Sequence, residues 1–460
     1  MDEDRWRTRL RWVVVHPDGP QVLLARRDGD LALPEVEHPG QLWTADPDEV
    51  LPALRELLGA DVLLLDCLDQ HEDPAARVQR ATLLAVPRGA PALPEGMAWV
   101  GRDGLAEARA AGGQTGDAAL AARVVEGLER GPGRDGGQPW AARGWFDEAE
   151  RWLRAAMERL GRPVTGTVRQ ARVWRLSCVL RAPTGDGDVW FKANTTSPLF
   201  VNEGVVMGAL ARLFPGRVPA PLAVDPERGW MVLADFGEEV GWEVPLEVVA
   251  EVARTYARMQ VETTGHVGRL LDAGCRDRRL DRLAAQARAW LVAVEATADL
   301  PGIDAATWLS PDEEAGLRAA VPRLQARCAE LAGHAVPPSI VHGDLHLSNV
   351  ARGPGGYLFF DWTDACVAHP FLDLATIRRG TAFVDSVDED ELRERLREAY
   401  LPEWASFEPP PRLARAFELA APLGALHQAV SYRSLATQPP MDPHMAQSTA
   451  FWLRRVLALA

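Results

Sequence analysis

The feature that most constrains this chain is the pairing of SIVHGDLHLSNV (339–350) with GYLFFDWTDA (356–365). An apolar approach leads into a compact His342-Gly343-Asp344 turn, followed by His346 and Asn349. The second segment is a strand, YLFF, that delivers Asp361 at its end. Asn349 stands five residues after Asp344 and twelve before Asp361, so a loop and a strand end must share one place in the fold. A count adds a second constraint. The chain has 49 arginines but a single lysine, Lys192, and only three asparagines, Asn194, Asn202 and Asn349. Arginine and lysine interchange on most solvated surfaces, but not where a compact, flexible ammonium is needed. The lone lysine therefore stands out.

At 460 residues, two or three folding units are expected. A content of 47% hydrophobic and 25% charged residues allows sizeable cores. There is no long uninterrupted apolar run, and the start, MDEDRWRTRLRW, is charged, which argues against a membrane span or a signal sequence. Cys67, Cys178, Cys275, Cys328 and Cys366 are scattered and form no Cys-x-x-Cys pair, and they read as reduced thiols of a cytoplasmic protein. The net charge is −15; residues 1–135 hold 15 Arg against 24 Asp plus Glu, or −9, leaving −6 for the rest. Such an acidic surface repels nucleic acid and anionic lipid, so neither is expected as a partner.

Periodicity divides the chain. RWVVV and QVLLA, either side of His16-Pro17-Asp18-Gly19, predict a hairpin; DEVLPALRELLG predicts an amphipathic helix, and DVLLLDCL and ATLLAV buried strands. GPGRDGGQP (131–139) reads as a linker between residues 1–130 and 140–460. Beyond it, apolar residues from Trp145 to Leu160 fall at helical spacing, stopped by Gly161-Arg162-Pro163. Residues 164–193 read as three strands with TGDGD as a tight turn, and GWMVLA (229–234) as another. From about 243 the pattern is mainly helical: 245–261, 279–297, 311–332, 389–400, 411–435 and 444–459. The expected fold class is α+β: a small β-rich lobe (about 164–240) and a large helical lobe (about 241–460), preceded by a small α/β domain.

The polar set has a chemistry. Phosphoryl transfer needs a carboxylate to take the acceptor hydroxyl's proton, and oxygen ligands for a magnesium ion that neutralises phosphates. Asp344 suits the first task, and Asn349 and Asp361 the second. With its His-Gly-Asp-x-His-x-x-Asn loop and its strand-end Asp361, the stretch 140–460 resembles the aminoglycoside phosphotransferase and choline kinase group of the bilobal protein-kinase-like fold. The resemblance implies ATP or GTP as donor, Mg as cofactor and a small-molecule acceptor as partner. His342 and His346 would support the loop, and Asp373, in AHPFLDLA (368–375), would brace it. Lys192 ends a strand and Glu203 follows eleven residues later, the expected pair of a phosphate-contacting lysine and its helical glutamate.

The small lobe opens without a glycine-rich loop, so phosphate cover falls to backbone amides near Leu176–Cys178, with Ser177 either capping a phosphate or facing solvent. Asp235-Phe236-Gly237 precedes the polar loop in the chain and is no metal motif; it reads as the joint between lobes, where the backbone of Leu233 and Ala234 could meet an adenine edge. Acceptor contacts are sought among Trp362, Asp364, His427, Gln428 and Tyr432. Residues 1–130 resemble a Nudix-type domain in the order LALPEVE, LPALRELLG and DVLLLDC. Leu58-Gly59 stand where that family places a Glu-Glu pair, so Glu56 alone cannot assemble its metal cluster and a non-catalytic role is expected. The rival to an enzyme is a non-catalytic nucleotide-binding or interaction protein, against which an intact Lys192, Asp344, Asn349 and Asp361 speak.

Overall fold

The computed structural model describes residues 6–27, 30–110, 116–130, 138–242, 244–299, 303, 307–353, 355–377, 388–437 and 443–460. They form two compact units that divide between Thr195 and Thr196. The expected linker, 131–139, lies outside the described residues as far as position 137.

The first unit begins with β1 (Arg7–Val14), β2 (Val22–Arg27), β3 (Asp30–Ala32) and β4 (Glu35–Pro39), then the short helices α1 (Pro47–Val50) and α2 (Pro52–Leu58). The long strands β5 (Val62–Asp73) and β6 (Val78–Pro87), then β7 (Met97–Val100), α3 (Arg102–Ala110) and α4 (Gly116–Arg130), follow. One sheet has the order β4-β1-β6-β5, with β1 parallel to β6, and a second has the order β3-β2-β7. This corrects the hairpin expected of RWVVV and QVLLA: β1 and β2 share only a bridge at Val15 and Val22 and enter different sheets. Trp12, Val13 and Val14 are all sealed from water, which suits a strand at the centre of a sheet and not one arm of a two-stranded ribbon.

The same unit continues through α5 (Trp145–Arg159) into the antiparallel strands β8 (Arg169–Val173), β9 (Ser177–Thr184) and β10 (Gly187–Asn194). Trp145 and Trp152 of α5 meet the Phe191 ring edge-on, with centroids 6.0 and 5.9 Å away. Val189, Phe191 and Ala193 are buried while Trp190 and Lys192, on the opposite face of β10, are half-buried. Three contacts explain why these strands fold with the preceding domain. Gln170, buried on β8, accepts from the Leu64 N–H (2.9 Å) and donates to the Leu64 carbonyl (2.7 Å), as a neighbouring strand would. Val173 N–H donates to Ala45 O, and the Arg172 guanidinium lies over Trp43.

The second unit opens with α6 (Glu203–Leu213), capped by the Asn202 side chain, and the hairpin of β11 (Ala223–Asp225) and β12 (Trp230–Ala234). Helices α7 (Leu246–Thr263), α8 (Val267–Asp272), α9 (Leu280–Leu291) and α10 (Pro311–Ala332) come next, with β13 (Arg276–Asp277) between α8 and α9. The strands β14 (Ser339–Val341), β15 (Val350–Gly353), β16 (Gly356–Phe359) and β17 (Cys366–Ala368) frame the polar loop. Helices α11 (Glu389–Tyr400), α12 (Pro410–Ala436) and α13 (Pro443–Leu459) complete the unit, close to the spans the periodicity predicts. Buried side chains build a single core here, from Val249 and Tyr256 on the inward stripe of α7 to α12, whose residues 422–429 are buried on every side. The α12 helix comes close at Gly424, where a Cβ would stand 2.8 Å from Leu372 O, so the helix rests directly on the turn that carries Asp373. Mixed sheets and many helices give the α+β class. Among the described residues no helix is long and apolar enough to cross a membrane.

Candidate active site

The β15–β16 hairpin sets the register of the second unit's polar residues. Val350 pairs with Phe359, and the Phe360 N–H donates to Asn349 O (3.1 Å), so Asn349 stands opposite the residue just before Asp361. Asn349 is buried, and its amide N–H donates to Asp344 O (2.9 Å). Asp361 has φ +63°, left-handed backbone that Asp tolerates better than most residues. The Thr363 hydroxyl lies 2.9 Å from Asp361 Oδ1 and 3.1 Å from Glu203 Oε2 and donates to one of them. Glu203 also accepts from the Trp362 N–H (3.1 Å), so the first residue of α6 holds the turn that carries Asp361.

Asp344 is anchored through its backbone. Gly343 has φ +85°, and a Cβ there would come 2.6 Å from Asp364 O. Asp373 takes the Gly343 N–H on Oδ1 (2.9 Å) and the His342 N–H (2.8 Å) and the Tyr256 hydroxyl (2.6 Å) on Oδ2. Gln260 Nε2 adds a longer bond (3.3 Å). Every partner donates, so the arrangement satisfies the ionised carboxylate. Burial nevertheless pushes Asp373 up to about 6, against the lowering by the Tyr256, Gly343 and His342 donors.

His342 is sealed in the core. Its Nε2 lies 2.8 Å from Phe360 O and must donate to it, which leaves Nδ1 to accept the Asp344 N–H (3.4 Å). Burial pulls His342 down to about 4, so it is neutral at ordinary pH. His346 is closer to the surface: its Nε2 lies 3.6 Å from Asp344 Oδ2, and its ring stacks on Trp242 at 4.5 Å. The Asp344 side chain itself is 41% exposed, as a carboxylate that meets a ligand must be.

Residues 235–241 run alongside the loop. Asp235 Oδ1 accepts from Gly237 N–H in its own turn. Arg352 N–H donates to Glu238 O, and Val240 N–H to Val350 O, which lays this segment along β15. Leu233 is buried at the end of β12, and Ala234 is half-buried.

Several expected acceptor contacts are corrected by burial. Trp362 is fully enclosed, with its indole N–H donating to Phe359 O (2.8 Å) and its ring beside His342. His427 is equally enclosed, 3.6 Å from Cys366 Sγ, and burial with the nearby Arg278 charge holds it well below its usual pKa. Gln428 donates to Gly343 O (2.5 Å) inside the protein. None of these three side chains faces solvent. Asp364 and Tyr432 are half-buried. Ser177, in the first unit, is also corrected: it neither caps nor faces water, but is buried and accepts from the Trp174 indole N–H (2.8 Å).

Tyr256, Gln260, Thr363 and Arg278 support the site but do not emerge from motif reading. For two of them a signal exists: Tyr256 and Gln260 interrupt, four apart, the apolar stripe of α7.

The oxygens of Asn349 and Asp361 are hard donors of the kind Mg2+ takes, one neutral and one charged. Among the described residues no cluster of three or more His, Cys, Asp or Glu side chains is placed to hold a metal alone. This donor set fits an ion that draws its remaining ligands from water and phosphate.

The class of protein to which the matching segment points is a phosphotransferase. Residues 193–410 match the model described as the phosphotransferase enzyme family, APH. No curated protein matches the chain by sequence. Among solved structures it is similar to a macrolide 2'-phosphotransferase type I (18% identity, TM-score 0.45, covering 66% of this chain and 96% of that one). It is also similar to a choline/ethanolamine kinase family protein from Mesorhizobium loti (19% identity, TM-score 0.45, 68% and 98%). A third is the spectinomycin phosphotransferase APH(9)-Ia, solved with ADP and spectinomycin (12% identity, TM-score 0.43, 67% and 98%).

Proposed function

We propose that the chain transfers the γ-phosphoryl group of ATP or GTP to a hydroxyl of a small polar molecule: an aminoglycoside, amino sugar, sugar or amino alcohol. The observation that carries this reading is the register that sets Asn349 beside the strand end bearing Asp361 while its amide holds the Asp344 carbonyl. The acceptor oxygen bonds to the γ-phosphorus as the bond to the β–γ bridging oxygen breaks, the nucleoside diphosphate leaves, and the hydroxyl proton passes to Asp344. Asn349 Oδ1 and the Asp361 carboxylate would hold Mg2+, which when bound neutralises phosphate charge. Lys192, the sole lysine, is proposed as the phosphate contact on its strand position, with Glu203 as its helical companion. The backbone of Leu233 and Ala234 is proposed for the nucleotide base. Asp364 and Tyr432 remain as acceptor contacts, both being partly accessible. The proposed catalytic domain is 140–460, with 1–130 as an appended, degenerate Nudix-like domain without its own catalysis.

The test is a screen of these acceptor classes by coupled detection of ADP, followed by Asp344→Ala on the acceptor found. Losing a general base costs about 10²–10⁴ in turnover. Calorimetry should show MgATP affinity unchanged in the variant. Parent-like turnover by Asp344→Ala would remove Asp344 from the mechanism. A parent that binds MgATP yet phosphorylates nothing and hydrolyses none would favour the non-catalytic binding protein.

A further inference from the structure

We propose that Gln428 is a positioning residue for Asp344 and that Arg278 holds Gln428 in register. The proposal rests on the reading of Asp344 as the base. It starts from Gly343, whose left-handed backbone leaves the adjoining peptide free to turn. Two bonds remove that freedom from opposite sides. The Gly343 N–H is taken by Asp373, and the Gly343 carbonyl accepts from Gln428 Nε2 at 2.5 Å. That carbonyl belongs to the peptide whose N–H is that of Asp344, so its orientation fixes where the Asp344 side chain starts.

Gln428 can do this only if α12 does not slide or rotate. Arg278 is placed to prevent it. Its Nη2 donates to His427 O (3.0 Å) and its Nη1 to Ser431 Oγ (2.7 Å), residues that bracket Gln428 on the helix. Its backbone N–H donates to Val367 O on β17, the strand that follows the Asp361–Asp364 turn. The guanidinium is buried, its hydrogen-bond partners are neutral, and its Nε has none. Burying a cation on these terms is costly, and hydrophobic packing would serve the helix better if packing were all that mattered. The arrangement buries that charge at the turn of α12 that donates to the polar loop.

A packing role and a positioning role make different predictions. Gln428→Met keeps the length and volume of the side chain and removes the donor. Leu426→Ala, at a fully buried position of α12 that makes no bond to the loop, destabilises the same helix. Both full-length variants would be assayed with MgATP alone, water serving as acceptor, by ADP release, and by hydrogen exchange of the 342–348 amides. Gln428→Met should lower kcat about tenfold to a hundredfold, since small misplacements of a reacting group cost that much. Its KM for MgATP should change less than twofold while exchange in the loop speeds up. Leu426→Ala should lower the melting temperature with neither change. Gln428→Met with parental kcat and loop exchange overturns the proposal, as does Leu426→Ala reproducing both effects. If Gln428→Met does not fold, Gln428→Asn, whose amide is one methylene too short to reach Gly343, takes its place with the same expectation. A parent that neither binds nor turns over MgATP refutes the phosphotransfer reading, and loop exchange then still decides whether Gln428 holds the loop.

Discussion

The sharpest handle on the site is Asp373, because its charge is disfavoured by burial yet its four partners all require it. Asp373→Asn removes the titration while keeping the shape. In the parent, the folded-state value of about 6 lies above the ordinary 3.8. The folded protein therefore takes up this proton more readily than the unfolded chain. The group's contribution to stability is fully present below pH 3.8 and is lost as the pH rises through 6. The gap of about 2 pH units corresponds to about 3 kcal/mol at neutral pH. Asparagine cannot show this loss, so the stability of Asp373→Asn relative to the parent should rise by about 2 kcal/mol between pH 4 and pH 8, most of it before pH 6. Urea unfolding of both proteins at unit pH intervals measures the difference, in which the other titrating groups cancel. Activity should move the opposite way. If the asparagine oxygen keeps the three bonds made at Oδ2, its amide N–H₂ meets the Gly343 N–H, and the loop must shift to relieve two facing donors. Turnover should fall about tenfold or more even where the variant is the more stable protein. A stability difference that stays flat from pH 4 to 8 would show that burial does not govern this carboxyl. Parental turnover by Asp373→Asn would show that the loop does not need the brace.

Two further outcomes follow from the same geometry. Asp361→Asn keeps a residue suited to φ +63° but loses a charge, so the Mg2+ needed for half-maximal MgATP turnover should rise about tenfold with little change in melting temperature; an unchanged requirement would remove Asp361 from the metal's ligands. Gln170→Leu strands the Leu64 N–H and carbonyl inside the first unit, at about 1–3 kcal/mol for each group left unpaired; an unfolding midpoint within error of the parent's would mean that the amide bridge contributes nothing.

What the sequence discloses, and what it hides, follows from the range of the interactions. Asp344, Asn349 and Asp361 lie within one loop and one hairpin, where spacing along the chain nearly determines spacing in space, and the structure brings them together. The helices of the second unit are legible for the same local reason, since an amphipathic one such as α7 needs only its own apolar stripe. The brace is not local. Asp373 meets Tyr256 across 117 positions, and Gln428 meets Gly343 across 85, so no spacing rule could pair them. Trp362, His427 and Gln428 are misread as acceptor contacts because polar or aromatic character near a reactive loop suggests a ligand, whereas here Trp362 and Gln428 satisfy buried backbone carbonyls and His427 lies enclosed against Cys366 Sγ. The first hairpin fails for the converse reason: two apolar runs beside a turn predict a ribbon, but a strand end buried on both faces at Trp12–Val14 gains more from two neighbours in a sheet. Gln428 is where these lines meet. It sits on a readable helix, carries a polar group within a run buried on every side, and points at the loop rather than at solvent. A polar residue on the buried face of an otherwise regular helix is thus the local trace of a distant partner. In this chain Tyr256, Gln260 and Gln428 all leave that trace, and all three lead to the two residues on either side of the His342–Gly343 peptide or to the carboxylate beneath it.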